Sequence, residues 1–149
     1  MSATKAPSVE AMQAIVARIN SATVFTLQTP ARYVDQLSDE LETPSLQIDV
    51  TSEDEEQLNE TLATEDYTSH QVRVWIRKKV STPDHGQIDL LKLLTRQVFQ
   101  RLNQFATDDQ RVRVWECDYD PAEVPIKEFL REYRMFVASV LMRVEVKAS

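Results

Sequence analysis

The sequence predicts an α+β protein: a mostly antiparallel sheet covered by one long amphipathic helix, together with an N-terminal helix and a long acidic loop. Two patterns carry this prediction. Several short segments alternate apolar and polar residues, as half-buried strands do. Residues 88–105 instead place apolar side chains three and four positions apart, which is typical of a helix with one buried face. At 149 residues, 42% of them hydrophobic, the chain is expected to form a single domain over residues 1–149.

One helix and two strands are predicted before residue 51. Apolar residues recur at helical steps from Val9 to Ile19, and we expect Pro7-Ser8 to cap this helix. The segment "TVFTLQTP" is predicted to be a short strand, which "ARYVDQ" continues. "PSLQIDV" alternates as a strand does. Its two faces carry Leu46, Ile48 and Val50 against Gln47 and Asp49.

The longest strand candidate, "DYTSHQVRVWIRKKV", precedes the strongest helix pattern of the chain. One face of this strand carries Val72, Val74 and Ile76, and the other carries Arg73, Trp75 and Arg77. Thr82-Pro83-Asp84 then begins a helix. Its apolar stripe consists of Ile88, Leu91, Leu94, Val98, Leu102 and Phe105, and Leu90 widens it. We expect this helix to cover the sheet.

Two strands and a short helix complete the prediction. "RVRVWECDY" is the first strand, "PIKEFLREY" the short helix and "RMFVASVLMRVEV" the closing strand. Gly86 is the only glycine of the chain. Tight hairpin turns need positive φ and usually take glycine, so the strands are expected to be joined by longer loops or helices. The scarcity of glycine also excludes glycine-rich phosphate-binding loops.

Charge is unevenly distributed along the chain. The net charge is −7, yet residues 34–71 contain twelve acids and no lysine or arginine. The remaining residues hold all 17 bases and the other twelve of the 24 acids, a surplus of +5. Such a partition places the acidic and the basic parts of the surface in different segments of the chain.

Residues 51–67, which include Glu53, Asp54, Glu55 and Glu56, are predicted to form an extended acidic loop within the domain. Two interpretations remain open. The loop is simply solvated, or its charge docks a basic partner or repels DNA that slides past. Calcium binding is not expected, because "EDEE" lacks the alternating ligand spacing and the turn glycine of a calcium loop.

The tetrapeptide Val-Arg-Val-Trp begins at Val72 and again at Val112, 40 residues later. This spacing is close to that of a propeller blade. However, a long helix occupies the interval where a blade would place three more strands. We therefore interpret the copies as two similar strands, paired in one sheet.

The polar faces of these two strands form a candidate contact surface. Its residues are Arg73, Trp75, Arg77, Arg113 and Trp115. A basic-aromatic platform of this kind suits single-stranded nucleic acid, but a pI of 4.9 lacks the basic footprint of a nucleic-acid reader. Two other interpretations are favoured, and they are compatible. In one, arginine side chains lie over the tryptophan rings; in the other, the surface is an oligomer interface, where tryptophan and arginine are enriched.

No catalytic, cofactor-binding or metal site is predicted, and the chain is not expected to be an enzyme. His70 and His85 are the only histidines and lack the spacing of metal ligands. Cys117 lies between two acids in "ECD", which disfavours a reactive thiolate. A single cysteine suits a reducing compartment, and neither a membrane span nor a secretory signal is recognisable. These features predict a soluble intracellular domain.

The order of elements resembles the small neck proteins of tailed bacteriophages and prophages, above all the tail-terminator (tail-completion) group. The resemblance covers nearly the whole chain as a pattern and contains no diagnostic short motif. The segments that carry it are "AMQAIVARINSA", "PSLQIDV", "SHQVRVWIRKKV", "IDLLKLLTRQVFQRLNQF" and "EYRMFVASVLMRVEV".

This resemblance implies an α+β protomer that assembles into a ring, usually six-fold. The ring caps the finished tail tube and joins it to the head connector or stopper proteins, while DNA passes through its lumen without being read. The chain would then be a structural virion protein of the neck or tail, made in the host cytoplasm. Its partners would be other copies of itself and the tail-tube and connector proteins, and no membrane would be involved.

Contacts within a ring are heterologous, so two different patches meet at each one. We therefore expect Glu53–Asp66 of one protomer to lie beside the arginine-rich strands of its neighbour or of the tail tube. A competing hypothesis from another class is a small acidic binding module, such as an inhibitor that mimics the charge of DNA.

Overall fold

The computed structural model has an α+β fold, as predicted, and describes residues 6–21, 31–34, 37, 46–52, 61–64, 67–80, 85–119, 126 and 134–147. In chain order the elements are α1 (Pro7–Asn20), β1 (Arg32–Tyr33), β2 (Gln47–Ser52), β3 (Thr61–Thr64), β4 (Tyr67–Lys79), α2 (His85–Leu102), β5 (Val112–Asp118) and β6 (Met135–Lys147). No helix among these residues is both long and apolar enough to cross a membrane.

The six strands form one mixed sheet. Five of them follow the order β1-β2-β4-β6-β5, and β3 pairs with β4. β1 and β2 are parallel, and the other pairs are antiparallel. β4 and β6 pair along their whole length, from Tyr67 opposite Lys147 to Lys79 opposite Met135. β3 pairs with β4 at Ser69, which faces Glu145 of β6 on its other side, so β3 lies on the same side of β4 as β2.

One face of the sheet and both helices enclose the hydrophobic core. Val72, Val74 and Ile76 of β4 are fully buried there, as their alternation predicts. α1 packs on β2, β4 and β6, whereas α2 packs on β6 and β5 and against α1. Each buried aliphatic side chain of this kind contributes about 1.5–3 kcal/mol to folding.

The apolar stripe of α2 is narrower than predicted. Ile88, Leu91, Val98 and Leu102 are buried, but Leu90 is 68% exposed and does not widen the stripe. The physical reason is its position: residues 88 and 91 point to the core, and a residue between them points away from it.

Polar contacts that involve arginine join α1 to α2 and to the segment before β5. The guanidinium of Arg111, just before β5, donates from Nε to Oε1 of Glu10 at 2.9 Å, and Nε of Arg18 donates to the carbonyl of Arg101 at 3.2 Å. Pro7 lies in the first turn of α1, but Ala6 is the N-cap and makes no side-chain cap. The predicted cap is therefore wrong: Ser8 is a buried residue inside the helix.

As predicted, a helix joins the strands β4 and β5, and a turn at residues 107–112 lies between that helix, α2, and β5. Thr107 N–H donates to the carbonyl of Val112, and Gln110 N–H donates to the carbonyl of Thr107, both at 2.9 Å. Gln110 has φ 61°, in the left-handed region where glycine is usual. A residue other than glycine therefore takes the left-handed conformation in this turn.

Several predicted elements fall outside the described residues. These are the strand at 23–30, the short helix at 125–133 apart from Ile126, and residues 53–60 and 65–66 of the predicted acidic loop. Within the predicted loop span of 51–67, the structure places the end of β2 at Ser52, the strand β3 at Thr61–Thr64 and the start of β4 at Tyr67.

Candidate interaction surface on the sheet

The face of the sheet opposite the core, here called the second face, carries most of the predicted contact residues. It is formed by Gln47, Asp49 and Thr51 of β2, Arg73, Trp75 and Arg77 of β4, Ser139, Leu141, Arg143 and Glu145 of β6, and Arg113 and Glu116 of β5. Along this face burial changes greatly. Asp49 and Arg77 at one end are 1% and 3% exposed, whereas Trp115 and Arg143 near the other end are exposed.

At the buried end, three donors surround the carboxylate of Asp49. Nη2 of Arg77 and Nε2 of Gln47 each donate to Oδ2 at 2.7 Å, and Nε of Arg32 donates to Oδ1 at 2.9 Å. Burial disfavours the charged carboxylate, but the hydrogen bonds from Gln47, Arg32 and Arg77 outweigh it and hold the pKa of Asp49 below its usual value. Asp49 therefore remains an anion inside the protein.

This network gives Arg77 a structural role. Its guanidinium is enclosed and holds the buried carboxylate of Asp49, so the side chain is not accessible to a partner that lies on the sheet. The sequence pattern placed Arg77 correctly on the polar face but did not reveal its burial. The residue type gives the charge and the alternation along one strand gives the face, whereas burial depends on which other segments pack against the side chain.

In the middle of the second face, the first Val-Arg-Val-Trp copy forms a packed pair. The guanidinium of Arg73 lies 5.3 Å from the ring centre of Trp75, and its Nη1 donates to Oγ of Ser139 at 2.9 Å. The indole Nε1 of Trp75 donates to Oγ1 of Thr51 at 3.2 Å. The prediction that arginine side chains lie over the tryptophan rings is thus confirmed in this copy.

The second copy forms a larger stack around Arg113. Its guanidinium lies 3.9 Å from the ring centre of Tyr67 and 5.1 Å from that of Trp115. Nε of Arg113 donates to Oε2 of Glu145 at 2.9 Å, and Glu145 is 3% exposed. A buried carboxylate therefore fixes the arginine, and the arginine lies against two aromatic rings.

Trp115 lies at a β-bulge. The β5–β6 register shifts between Val114 and Glu116, so Trp115 is an extra residue without a partner in the ladder. The indole is 52% exposed although it stacks on Arg113. Beside it, Arg143 is 3.6 Å from Glu116, and both of these side chains are largely in solvent. The bulge thus presents a large aromatic side chain on a rigid support.

Four of the five predicted basic and aromatic residues therefore lie on one face with accessible surface: Arg73, Trp75, Arg113 and Trp115. The two Val-Arg-Val-Trp strands belong to the same sheet but do not pair with each other, because β6 lies between them. Glu53, Asp54, Glu55 and Glu56 lie outside the described residues.

Sequence reasoning missed Tyr67, Glu145 and Arg143 as members of this surface. The alternation of β6 places residues 143 and 145 on its polar face, so this much of the signal was present. What singled them out is their pairing with β5, in which Glu145 is opposite Arg113 and Arg143 is opposite Glu116. These paired residues are about 30 positions apart in the sequence, so the pattern within one strand does not reveal the pairing.

The described part of the chain contains no cluster of three or more His, Cys, Asp or Glu side chains that could hold a metal ion. Burial, with a smaller effect from Asp118, raises the pKa of the Cys117 thiol to about 12. His70 is buried, and its Nε2 lies 2.8 Å from Oγ1 of Thr68. These groups are packed in the fold, and the accessible chemistry of the described sheet lies at the exposed end of the second face.

That exposed end combines tryptophan and arginine, the two side chains that most often dominate the energetics of protein–protein contacts. It is also held rigid before any partner binds, which lowers the entropic cost of association. No protein-family model matches this chain, and no curated protein matches it in sequence.

Proposed function

We propose that this chain is a structural virion protein of the neck of a tailed phage or prophage, of the tail-terminator type, and not an enzyme. In this proposal several copies, six in the usual arrangement, form a ring that caps the tail tube. The ring joins the tube to the head connector or stopper proteins, and DNA passes through it without sequence-specific contacts. The protein is made in the host cytoplasm and ends in the virion.

The observation that carries this proposal is the exposed indole of Trp115, fixed on Arg113 at the bulge of β5. A half-exposed tryptophan on a guanidinium that is itself held by buried Glu145 suits a contact with another protein.

The distribution of charge supports a contact between two different patches. Residues 34–71 carry twelve acids without a base, and the exposed end of the second face carries Arg143 and Lys147. A ring joins unlike surfaces, so one chain supplies both halves of each contact. The proposal includes the acidic residues 53–60, inside the predicted loop span of 51–67, as the part that reaches a neighbour, and α2 as the helix that covers the sheet.

Electron microscopy of the purified protein, alone and with the tail-tube protein encoded beside it, tests the proposal. We expect rings of about six copies, formed in solution or at the end of the tube. A genetic control is a phage that lacks this chain, which should yield heads and tails that fail to join. The proposal fails if the protein neither forms rings on tubes nor occurs in purified virions.

The alternative is a small acidic binding module that mimics the charge of DNA. Such a module needs its carboxylates in solvent, but Asp49 and Glu145 of the sheet are buried and each is bound to an arginine. These two carboxylates are therefore not available to imitate the phosphates of DNA. A stable monomer that inhibits a nuclease and never enters the virion would instead establish the mimic.

A further inference from the structure

The contact surface on the second face has an accessible half and an enclosed half, and only the accessible half can bind a partner. Trp115 is 52% exposed, and the Arg143 side chain is 43% exposed. Among the described residues, Arg143 forms an ion pair with Glu116 at 3.6 Å, and the Glu116 side chain is itself 73% exposed. Such a solvent-exposed pair contributes little to stability, so the cation of Arg143 can be redirected to a stronger anion at small cost.

We propose that this accessible half, centred on Trp115 and Arg143, binds the acidic segment Glu53–Glu60 of another copy of the chain. The inference rests on the proposed ring function, since it names the partner of one ring contact. The indole offers apolar area and the arginines offer charge, which suits an acidic peptide that also carries an aliphatic residue. Segment 53–60 has that composition, with five acids, Leu58 and no base.

The topology favours another copy over the segment of the same chain. Ser52 and Thr61, which flank the segment, belong to β2 and β3 on one side of β4, whereas β6 and β5 follow on the other side. Three strand spacings, about 14 Å, therefore separate these flanks from β5. Eight residues that leave and return reach at most about 15 Å. The segment of the same chain can therefore reach Arg143 on β6, two strand spacings away, but little length would remain to lie across Trp115 as well.

Charge complementarity supports the same partner. The segment contains Glu53, Asp54, Glu55, Glu56 and Glu60, and the exposed end of the second face contains the side chains of Arg143 and Lys147. Opposite charges on the two patches accelerate association and fix its direction. Because the patches differ, the contact is head-to-tail. In a pair of protomers, one retains a free acidic segment and the other a free surface, so further copies can add.

Two full-length variants test this contact by complementation. The surface variant carries Trp115→Ser and Arg143→Gln; the acid variant carries Glu53→Gln, Asp54→Asn, Glu55→Gln and Glu56→Gln. In sedimentation velocity at low salt, each variant alone should remain monomeric, because every contact lacks one patch. An equimolar mixture should form a 1:1 complex, since one variant has an intact surface and the other an intact segment.

Matched single changes show which side chains carry the complex. Arg143→Gln placed in the acid variant should weaken the complex about tenfold. Arg96→Gln, which removes the same charge from an exposed position on α2, should leave the affinity of the complex within about twofold. Raising the salt concentration from 50 to 300 mM should weaken the complex, because the contact is electrostatic.

The inference is overturned if the mixture forms no complex, or if the surface variant alone associates as strongly as the wild type. Its failure and that of the neck function are distinguishable. Rings that form with either variant alone would remove this contact and retain the neck function. A 1:1 complex of the two variants, with no ring on tubes and no protein in virions, would retain the contact and remove the neck function.

Discussion

The two Val-Arg-Val-Trp copies have the same four residues but different environments. The copy in β4 lies between β2 and β6, and there the indole of Trp75 is partly buried and donates to Thr51. The copy in β5 lies in the last strand of the sheet, where a bulge leaves Trp115 52% exposed. The position of a strand in the sheet, and not its local sequence, decides whether the tryptophan is packed or presented.

The two arginines of these copies differ in a related way. Arg73 donates to the neutral hydroxyl of Ser139, whereas Arg113 is bound to the buried carboxylate of Glu145. Both partners belong to β6, which separates the two strands. A charged partner holds the guanidinium more firmly than a neutral one. The buried carboxylate of Glu145 therefore holds Arg113 in place as a support for the exposed ring of Trp115.

The largest expected effect on the free energy of unfolding is at the enclosed end of the second face, where Arg77 is bound to Asp49. Arg77→Ala leaves the Asp49 carboxylate buried without its main cation, and we expect it to lower the free energy of unfolding by about 3–5 kcal/mol. Denaturant-induced unfolding measures this. Replacing both residues, with Asp49→Leu and Arg77→Met, should recover most of the loss. A loss below about 1 kcal/mol for Arg77→Ala would contradict a structural role for this pair.

Alanine substitutions of the two tryptophans test the comparison directly. Trp75→Ala removes a packed ring and its hydrogen bond, and should lower the free energy of unfolding by about 2–3 kcal/mol. Trp115→Ala removes a half-exposed ring and should cost about 1 kcal/mol or less. Thermal and denaturant unfolding of both variants measure the difference. Equal losses would show that the two environments are not distinct.

Arg113→Lys tests whether the guanidinium positions Trp115. Lysine keeps the charge beside Glu145 but loses the planar group that stacks between Tyr67 and Trp115. We expect a loss of about 1–2 kcal/mol in stability. In a Trp75→Phe background Trp115 is the only tryptophan, and its fluorescence anisotropy should fall. Arg73→Lys in the same background is the matched control and should leave that anisotropy unchanged.

A glutamine lies just before each Val-Arg-Val-Trp copy, and replacing it with glycine should change the stability of the protein in opposite directions at the two positions. Gln110 has φ 61°, so Gln110→Gly should stabilise the protein by about 1 kcal/mol. Gln71 is an extended residue of β4, and Gln71→Gly should destabilise the protein by about 0.5–1 kcal/mol. Thermal unfolding of both variants gives the signs. Destabilisation by Gln110→Gly would contradict the strain inferred for this turn.

The smallest expected effect is on the pH dependence of stability. The pKa of Asp49 is lowered by folding, so its stabilising contribution is present above the unfolded value of about 3.9 and is lost as pH falls through the lower, folded value. Unfolding measured between pH 6 and pH 3 should therefore show a steeper loss of stability in the wild type than in Asp49→Asn. Parallel curves would show that Asp49 is not held as an anion in the folded protein.

Much of the fold could be predicted because its signals are local. The alternation of Val72, Val74 and Ile76 against Arg73, Trp75 and Arg77 assigned both faces of β4 correctly. The helical spacing of residues 88–102 predicted the buried stripe of α2, apart from Leu90. The candidate surface was predicted as a set of polar-face residues, but its division into an enclosed and an exposed end was not.

Partners distant in the sequence explain the rest. The burial of Arg77 depends on its contact with Asp49, which is 28 residues away, and the fixed position of Arg113 depends on Glu145, 32 residues away. The bulge at Trp115 exists only relative to the register of β6. No periodicity within a single segment encodes such pairings, because each depends on which strands become neighbours.

The sequence by itself determined the α+β class, the faces of the long strands, and a chain whose acids and bases lie in separate segments. These follow from side-chain periodicity and composition, which each segment carries alone. Only the tertiary structure decided that β6 separates the two Val-Arg-Val-Trp strands, that Arg77 is enclosed and that Trp115 is presented on Arg113. Burial, register and the pairing of charges are properties of contacts between segments, so they arise only when the chain is folded.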